Sequence, residues 1–145
     1  MRHTLINPVE LGAPRGYSHG ILAAPGRWLF IAGQIGWDRA QKLVSPRFYA
    51  QFGQALQNVC TVLEAAGGRP EHLCRLTIYV TDRRIYLSEL SEVGQAYRTV
   101  LGHHFPAMAL LEVSALLEEG ALVEIEGTAV VPDSSEPPDQ TGAEV

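Results

Sequence analysis

The chain has 145 residues, 46% of them hydrophobic, and a formal net charge of -5. That length and apolar content suit one domain with a buried core. The acidic balance argues against a broad phosphate-binding surface, and only Arg83 and Arg84 stand side by side among the basic residues, so nucleic-acid binding is not expected.

Two cysteines, Cys60 and Cys74, fall in apolar segments without metal-ligand spacing. They read as free thiols in a reducing compartment. No basic stretch followed by a long apolar run opens the sequence, and no apolar run approaches the roughly 20 residues of a membrane span. The expectation is a soluble cytoplasmic protein with no membrane partner.

Residues 1 to 20 are rich in Gly, Pro and His and read as irregular, with a short edge strand. The stretch ILAAPGRWLFIAGQIGW reads as two strands around a turn at Pro25 and Gly26. Trp28, Phe30 and Ala32 would face one side, Leu29 and Ile31 the other. Gly33 interrupts this strand, which marks a bulge or a close approach by another backbone or a ligand.

The period then changes. Phe48, Phe52, Ala55, Leu56, Val59, Val62, Leu63 and Ala66 follow three-four spacing and predict a helix over residues 46–66. Gly67 and Gly68 stop it. Residues 75–80 alternate as a strand with Leu76, Ile78 and Val80 inward. A second helix is predicted over residues 87–100, with its stripe on Leu87, Leu90, Val93, Tyr97 and Val100. Gly94 sits inside it at a cost of roughly 1 kcal/mol against alanine, so close packing or a ligand must favour it.

Residues 107–113 and 122–131 read as the last strands. In the final one, Val123, Ile125 and Gly127 share a face, and Glu124, Glu126 and Thr128 share the other. A strand half in water would account for this. A sharper account is that a glutamate lines a cleft and touches a ligand. The domain is expected to span residues 1–131, followed by a disordered acidic tail over 132–145.

Strands, helix, strand, helix, strands is the order of an α+β sandwich with helices on one face of a mixed sheet. The other face mixes Thr77, Tyr79, Glu124, Glu126 and Thr128 with apolar residues. Such a face suits a symmetric subunit interface with clefts between chains.

No phosphate loop or nucleophile elbow occurs, and no cofactor is expected. His103 and His104 are adjacent and point apart, whereas zinc needs three or four converging ligands, so no metal site is expected. His3 and His19 lie in the N-terminal region without a required role. What remains is Glu124, Glu126, Tyr17, Gly33 and the turn formed by Pro106, Ala107 and Met108.

These residues sit in stretches that together resemble the RidA (YjgF) family: GYSHG (16–20), IAGQIGWD (31–38), QALQNVCTVLEAAGG (54–68), LTIYVTD (76–82), AYRTVLG (96–102), FPAMALLEV (105–113) and ALVEIEGTAVV (121–131). The resemblance implies a chorismate-mutase-like fold, with a six-stranded mixed sheet and two helices on one face. It implies a homotrimer with three clefts between neighbouring subunits. It also implies hydrolysis of enamines and imines that arise in pyridoxal-phosphate reactions, giving a 2-oxo acid and ammonia.

By the same resemblance Tyr17 closes one wall of the cleft and Gly33 lets a ligand approach the backbone. Glu124 orients the attacking water, Ala107 and Met108 contact the substrate, and Glu126 stays structural. Two departures stand out. The deaminases carry P-A-R-S, whose arginine clamps the substrate carboxylate; here Met108 occupies that place and cannot replace the clamp. Gly94 stands near their helix asparagine. The implied activity is therefore an enamine or imine deaminase-like hydrolase acting on a substrate without the usual amino-acid carboxylate. The alternative is a non-catalytic trimeric module that binds a small molecule. Arg2, Arg15 or Arg98 of a neighbouring chain could still reach the cleft. Nuclease or translation-inhibitor activity, also ascribed to the family, is disfavoured by the acidic charge.

Overall fold

Three-four spacing in the middle of the chain and strict alternation near its end produce a helical layer on a sheet. The computed structural model describes residues 2–133; most of the expected tail, residues 134–145, lies outside the described residues. Six strands form: β1 (Thr4–Ile6), β2 (Gly20–Leu22), β3 (Arg27–Ile35), β4 (Leu73–Val80), β5 (Ala107–Glu112) and β6 (Val123–Val131). They divide into a four-stranded sheet, β3-β6-β4-β5, and a separate antiparallel ribbon of β1 and β2.

The six-stranded sheet is therefore met in strand number only. β2 and β3 flank the turn at Pro25 and Gly26 but do not pair with each other. Gly26 lies so close to β6 that a β-carbon there would be 2.4 Å from the Val131 carbonyl oxygen. The chain passes directly onto the end of β6 and leaves β2 to β1. The sheet is mixed because β4 and β5 run parallel, while β6 is antiparallel to both β3 and β4. A parallel pair needs a crossover, and helices supply it.

Helix α1 (Phe48–Ala65) buries Phe48, Phe52, Leu56, Val59 and Leu63 against the sheet. It ends in a Schellman motif: Gly67 N–H donates to Glu64 O and Gly68 N–H to Leu63 O, both at 2.9 Å, with Gly67 at φ 80°. The crossover departs from the predicted single helix. It begins at α2 (Arg83–Ser88), capped by the Asp82 carboxylate accepting from Arg84 N–H at 2.8 Å. It breaks at Glu89 (φ −116°, ψ 24°) and resumes as α3 (Leu90–Leu101). Among the described residues no helix is long and apolar enough to cross a membrane.

The helices cover one sheet face, where Ile31, Leu76, Ile78, Val80, Val123 and Ile125 are buried. The other face is open. Trp28 and Phe30 there are 68% and 75% exposed, and their rings lie 6.2 Å apart. Cys60 is buried and Cys74 half-buried, both as free thiols. Burial by apolar neighbours pushes the Cys60 thiol up to about 11.

Two amides on α1 set the strands that matter below. Buried Gln51 donates to Ser45 O and Gly120 O and accepts from Leu122 N–H, fixing the entry to β6. Asn58 donates to Ile35 O and Trp37 O, fixing the end of β3. Both amides are thus satisfied where they lie.

Candidate functional site

The first group of candidate residues is built at a bulge. Ile31 pairs with Gly127 but Gln34 with Ile125, so β3 carries one residue more than the strand opposite. The extra residue falls at Ala32 and Gly33. A β-carbon on Gly33 would lie 2.7 Å from Glu124 Oε1 and 2.8 Å from its carboxyl carbon. The glycine thus makes room for the carboxylate to rest on the β3 backbone.

The two glutamates of β6 differ in what holds them. The Tyr79 hydroxyl donates to Glu126 at 2.7 Å. That hydrogen bond, foremost, holds the Tyr79 phenol above its usual value. Among the described residues no hydrogen bond reaches Glu124, which is half-buried on the same face. Glu126 accepts that bond and lines a pocket of about 280 Å³ with Arg75 and Thr77, whereas Glu124 has its oxygens available beside Gly33.

The second group lies on the helix side. Met108 pairs with Leu76 and lines a pocket of about 370 Å³ together with Phe52 and Ile78. Tyr97 and Phe105 form a stacked wall, their ring centres 5.3 Å apart and their planes nearly parallel at 6°. The Tyr97 hydroxyl donates to His104 O at 2.6 Å, and burial pushes its phenol up. Arg15 and Gly16 reach the pocket because Ser18 is fastened beside β5. Its N–H donates to Pro106 O, its hydroxyl to Phe105 O, and its backbone bridges Ala107. Arg98 of α3 also lines the pocket.

The expected site residues are therefore only partly assembled. Gly33 and Glu124 meet. Ala107 pairs with Arg75, and neighbouring Met108 points to the opposite face. Glu124 pairs with Tyr79 and Met108 with Leu76, and side chains alternate, so Glu124 and Met108 occupy opposite sides of the sheet. The Tyr17 ring meets that of His19 edge-on, their centres 5.3 Å apart. The sequence left open that Arg2, Arg15 or Arg98 of a neighbouring chain reaches the cleft; within one chain, Arg15 and Arg98 line the pocket beside Met108. Sequence reasoning missed Phe52, Tyr97 and Phe105 as pocket walls, because their three-four spacing marks only a core.

The histidines brace the fold. His3 Nε2 lies 3.1 Å from both His72 O and Val130 O, and its Nδ1 accepts from Ala24 N–H, so the proton sits on Nε2. His104 Nε2 donates to Leu73 O at 2.8 Å, while His103 is exposed. His19 Nε2 lies 3.0 Å from Gly12 O. Among the described residues no three His, Cys, Asp or Glu side chains gather as metal ligands.

Residues 8–131 match the family model described as Endoribonuclease L-PSP, and the chain belongs to this family, the one that includes RidA and YjgF. Curated relatives include the human 2-iminobutanoate/2-iminopropanoate deaminase, 32% identical over 82% of this chain and 82% of that protein. A RutC family protein of Pyrococcus horikoshii is 34% identical over 78% of this chain and 85% of its own. Among solved structures, a Rid family protein of unknown function from Yersinia pestis superposes with a TM-score of 0.81 at 33% identity, covering 90% of this chain and all of that one. RidA from an Antarctic Psychrobacter gives 0.63 at 30% identity, over 83% and 92%.

Proposed function

We propose that the protein is a RidA-like hydrolase of a small metabolite, an enamine or its imine tautomer, working as a homotrimer with its sites between neighbouring subunits. The observation that carries the reading is the carboxylate of Glu124 lying in the space left by Gly33. A carboxylate in a cleft, with its oxygens available, can hold and deprotonate a water. The water oxygen bonds to the imine carbon, and the C=N π pair moves to nitrogen. Glu124 returns that proton to nitrogen, giving a carbinolamine. It then takes the carbinolamine hydroxyl proton and passes it to nitrogen, the oxygen electron pair forms the C=O bond as the C–N pair leaves with nitrogen, and a carbonyl compound and ammonia depart. The balance is imine plus water to carbonyl plus ammonia, with no redox change.

Two features support an assembly. Glu124 and Met108 lie on opposite faces, so one ligand meets both only where two copies touch. The exposed Trp28 and Phe30 form an apolar patch on the open face, the kind of surface that a subunit interface covers. Because Met108 is neutral, the substrate lacks the carboxylate next to its reacting carbon that the deaminases clamp with an arginine at this position. The relatives' names point to imino acids of two small amino acids; this chain is proposed to take a different member of the class.

The test is ammonia release from a panel of enamines generated in place. Accelerated decay is expected, and Glu124→Gln should slow it by about 100-fold or more. An unchanged decay across the panel, or a Glu124→Gln protein as fast as the parent, sinks the catalytic reading. Met108 also favours a second reading, a trimer that binds a small molecule without converting it. A compound that raises the melting temperature and is recovered intact would support that one.

A further inference from the structure

The pocket beside Met108 has an apolar interior and a cationic rim. Its walls are Phe52, Tyr97, Phe105 and Met108, and among the described residues the formally charged side chains lining it are Arg15 and Arg98, with no carboxylate beside them. Among the described residues neither arginine forms an ion pair, although the chain holds 16 acidic residues against 11 basic ones. Arg98 reaches the pocket across Gly94, one helical turn earlier. A β-carbon on Gly94 would stand 3.2 Å from Arg98 Nη1, tighter than ordinary contact. The glycine inside α3 lets the guanidinium lie along the helix towards the pocket. Arg15 approaches from the N-terminal segment that Ser18 fastens to β5.

From this we infer that Arg98 and Arg15 are specificity-determining residues, and that the ligand carries a carboxylate remote from its reacting carbon. The inference rests on the proposed small-molecule site and deepens it. The planar guanidinium matches a carboxylate with two parallel N–H donors. The wall of Tyr97 and Phe105 takes an aromatic or branched body, with the Met108 thioether against it. A pocket of about 370 Å³ suits a molecule of that size. Charge recognition is thereby moved from β5 to the rim. A molecule whose single carboxylate adjoins the imine carbon would leave the rim unused.

The probes are 3-phenylpropionate, its uncharged counterpart 3-phenylpropan-1-ol, pyruvate and inorganic phosphate. Binding is measured by calorimetry on the full chain carrying Glu124→Gln, so that turnover plays no part. The acid should bind at least about tenfold more tightly than the alcohol, and more tightly than pyruvate, with an affinity that falls as salt rises. Arg98→Met should remove most of the preference for the acid, and Arg15→Met part of it, while alcohol binding is retained. Equal binding of acid and alcohol, no binding of either, or a preference that survives both variants overturns the inference. Tighter binding of phosphate than of the acid overturns the carboxylate assignment. The hydrolase reading fails separately: arginine-dependent acid binding without turnover of any enamine leaves this inference standing, and turnover indifferent to Arg98→Met leaves only the hydrolase.

Discussion

Gly33 and Glu124 are matched as socket and plug: the carboxylate of one fills the volume that the missing side chain of the other leaves, 2.7 Å from where a β-carbon would be. Gly33→Ala should displace the carboxylate and little else, since Gly33 is exposed and has no left-handed backbone to lose. Turnover should fall about tenfold or more, while the melting temperature stays within a few degrees. Steady-state ammonia release and thermal unfolding on the same sample check this. Full activity in Gly33→Ala would mean that the carboxylate's position is not used.

The open sheet face gives a second prediction. Trp28→Asp with Phe30→Asp puts charges where an apolar patch now stands, so the assembly should dissociate. Light scattering after size exclusion should read a trimer for the parent chain and a smaller species for the double variant. A parent chain that is already monomeric would remove the basis for an intersubunit site.

A third prediction concerns pH. Burial, foremost, holds the imidazoles of His72 and His104 below their usual value, so the unfolded chain binds these protons more readily. Their contribution to stability is complete above the ordinary imidazole value of about 6.5 and declines as pH falls through it towards the lower folded-state values. The melting temperature should therefore drop on acidification across that window, ahead of the carboxylates. His104→Gln keeps a donor for Leu73 O, and His72→Asn keeps an acceptor for Arg69 N–H. Together they should flatten the slope, and an undiminished slope in the double variant would assign it to other groups.

Gly94→Ala separates stability from binding. Alanine favours α3 by up to about 1 kcal/mol, and the atom it meets is the mobile end of Arg98. Thermal unfolding should show a gain of a few degrees. Affinity for a carboxylate probe should drop, because the guanidinium must shift away. A loss of stability would show that Arg98 cannot yield.

Much of this architecture was legible in the residues. The alternation around Glu124 and the three-four spacing of α1 report which atoms are hidden, and the structure follows both. Gly33 signalled its bulge because a glycine inside a strand has few other uses. Strand partners were less legible: nothing local in Ala107 or Met108 states that β5 runs parallel to β4 or which face Met108 takes. The start of the crossover was missed because its apolar stripe is strongest after Leu87, which drew attention from the Asp82 cap. In the sequence Arg98 stands out only as one of three arginines that could reach a cleft from a neighbouring chain. On a helix surface an arginine reads as solvated until the glycine one turn before it is seen to admit it.

The attachment at Ser18 bears on how the protein is handled. Part of the pocket's rim, Arg15 and Gly16, belongs to a strap that the four-stranded sheet does not need for its own pairing. A protease cutting ahead of Ser18, or a bulky tag crowding that strap, would remove or displace Arg15 while leaving the sheet intact. Such material would look well folded by circular dichroism and still misreport the affinity of the site.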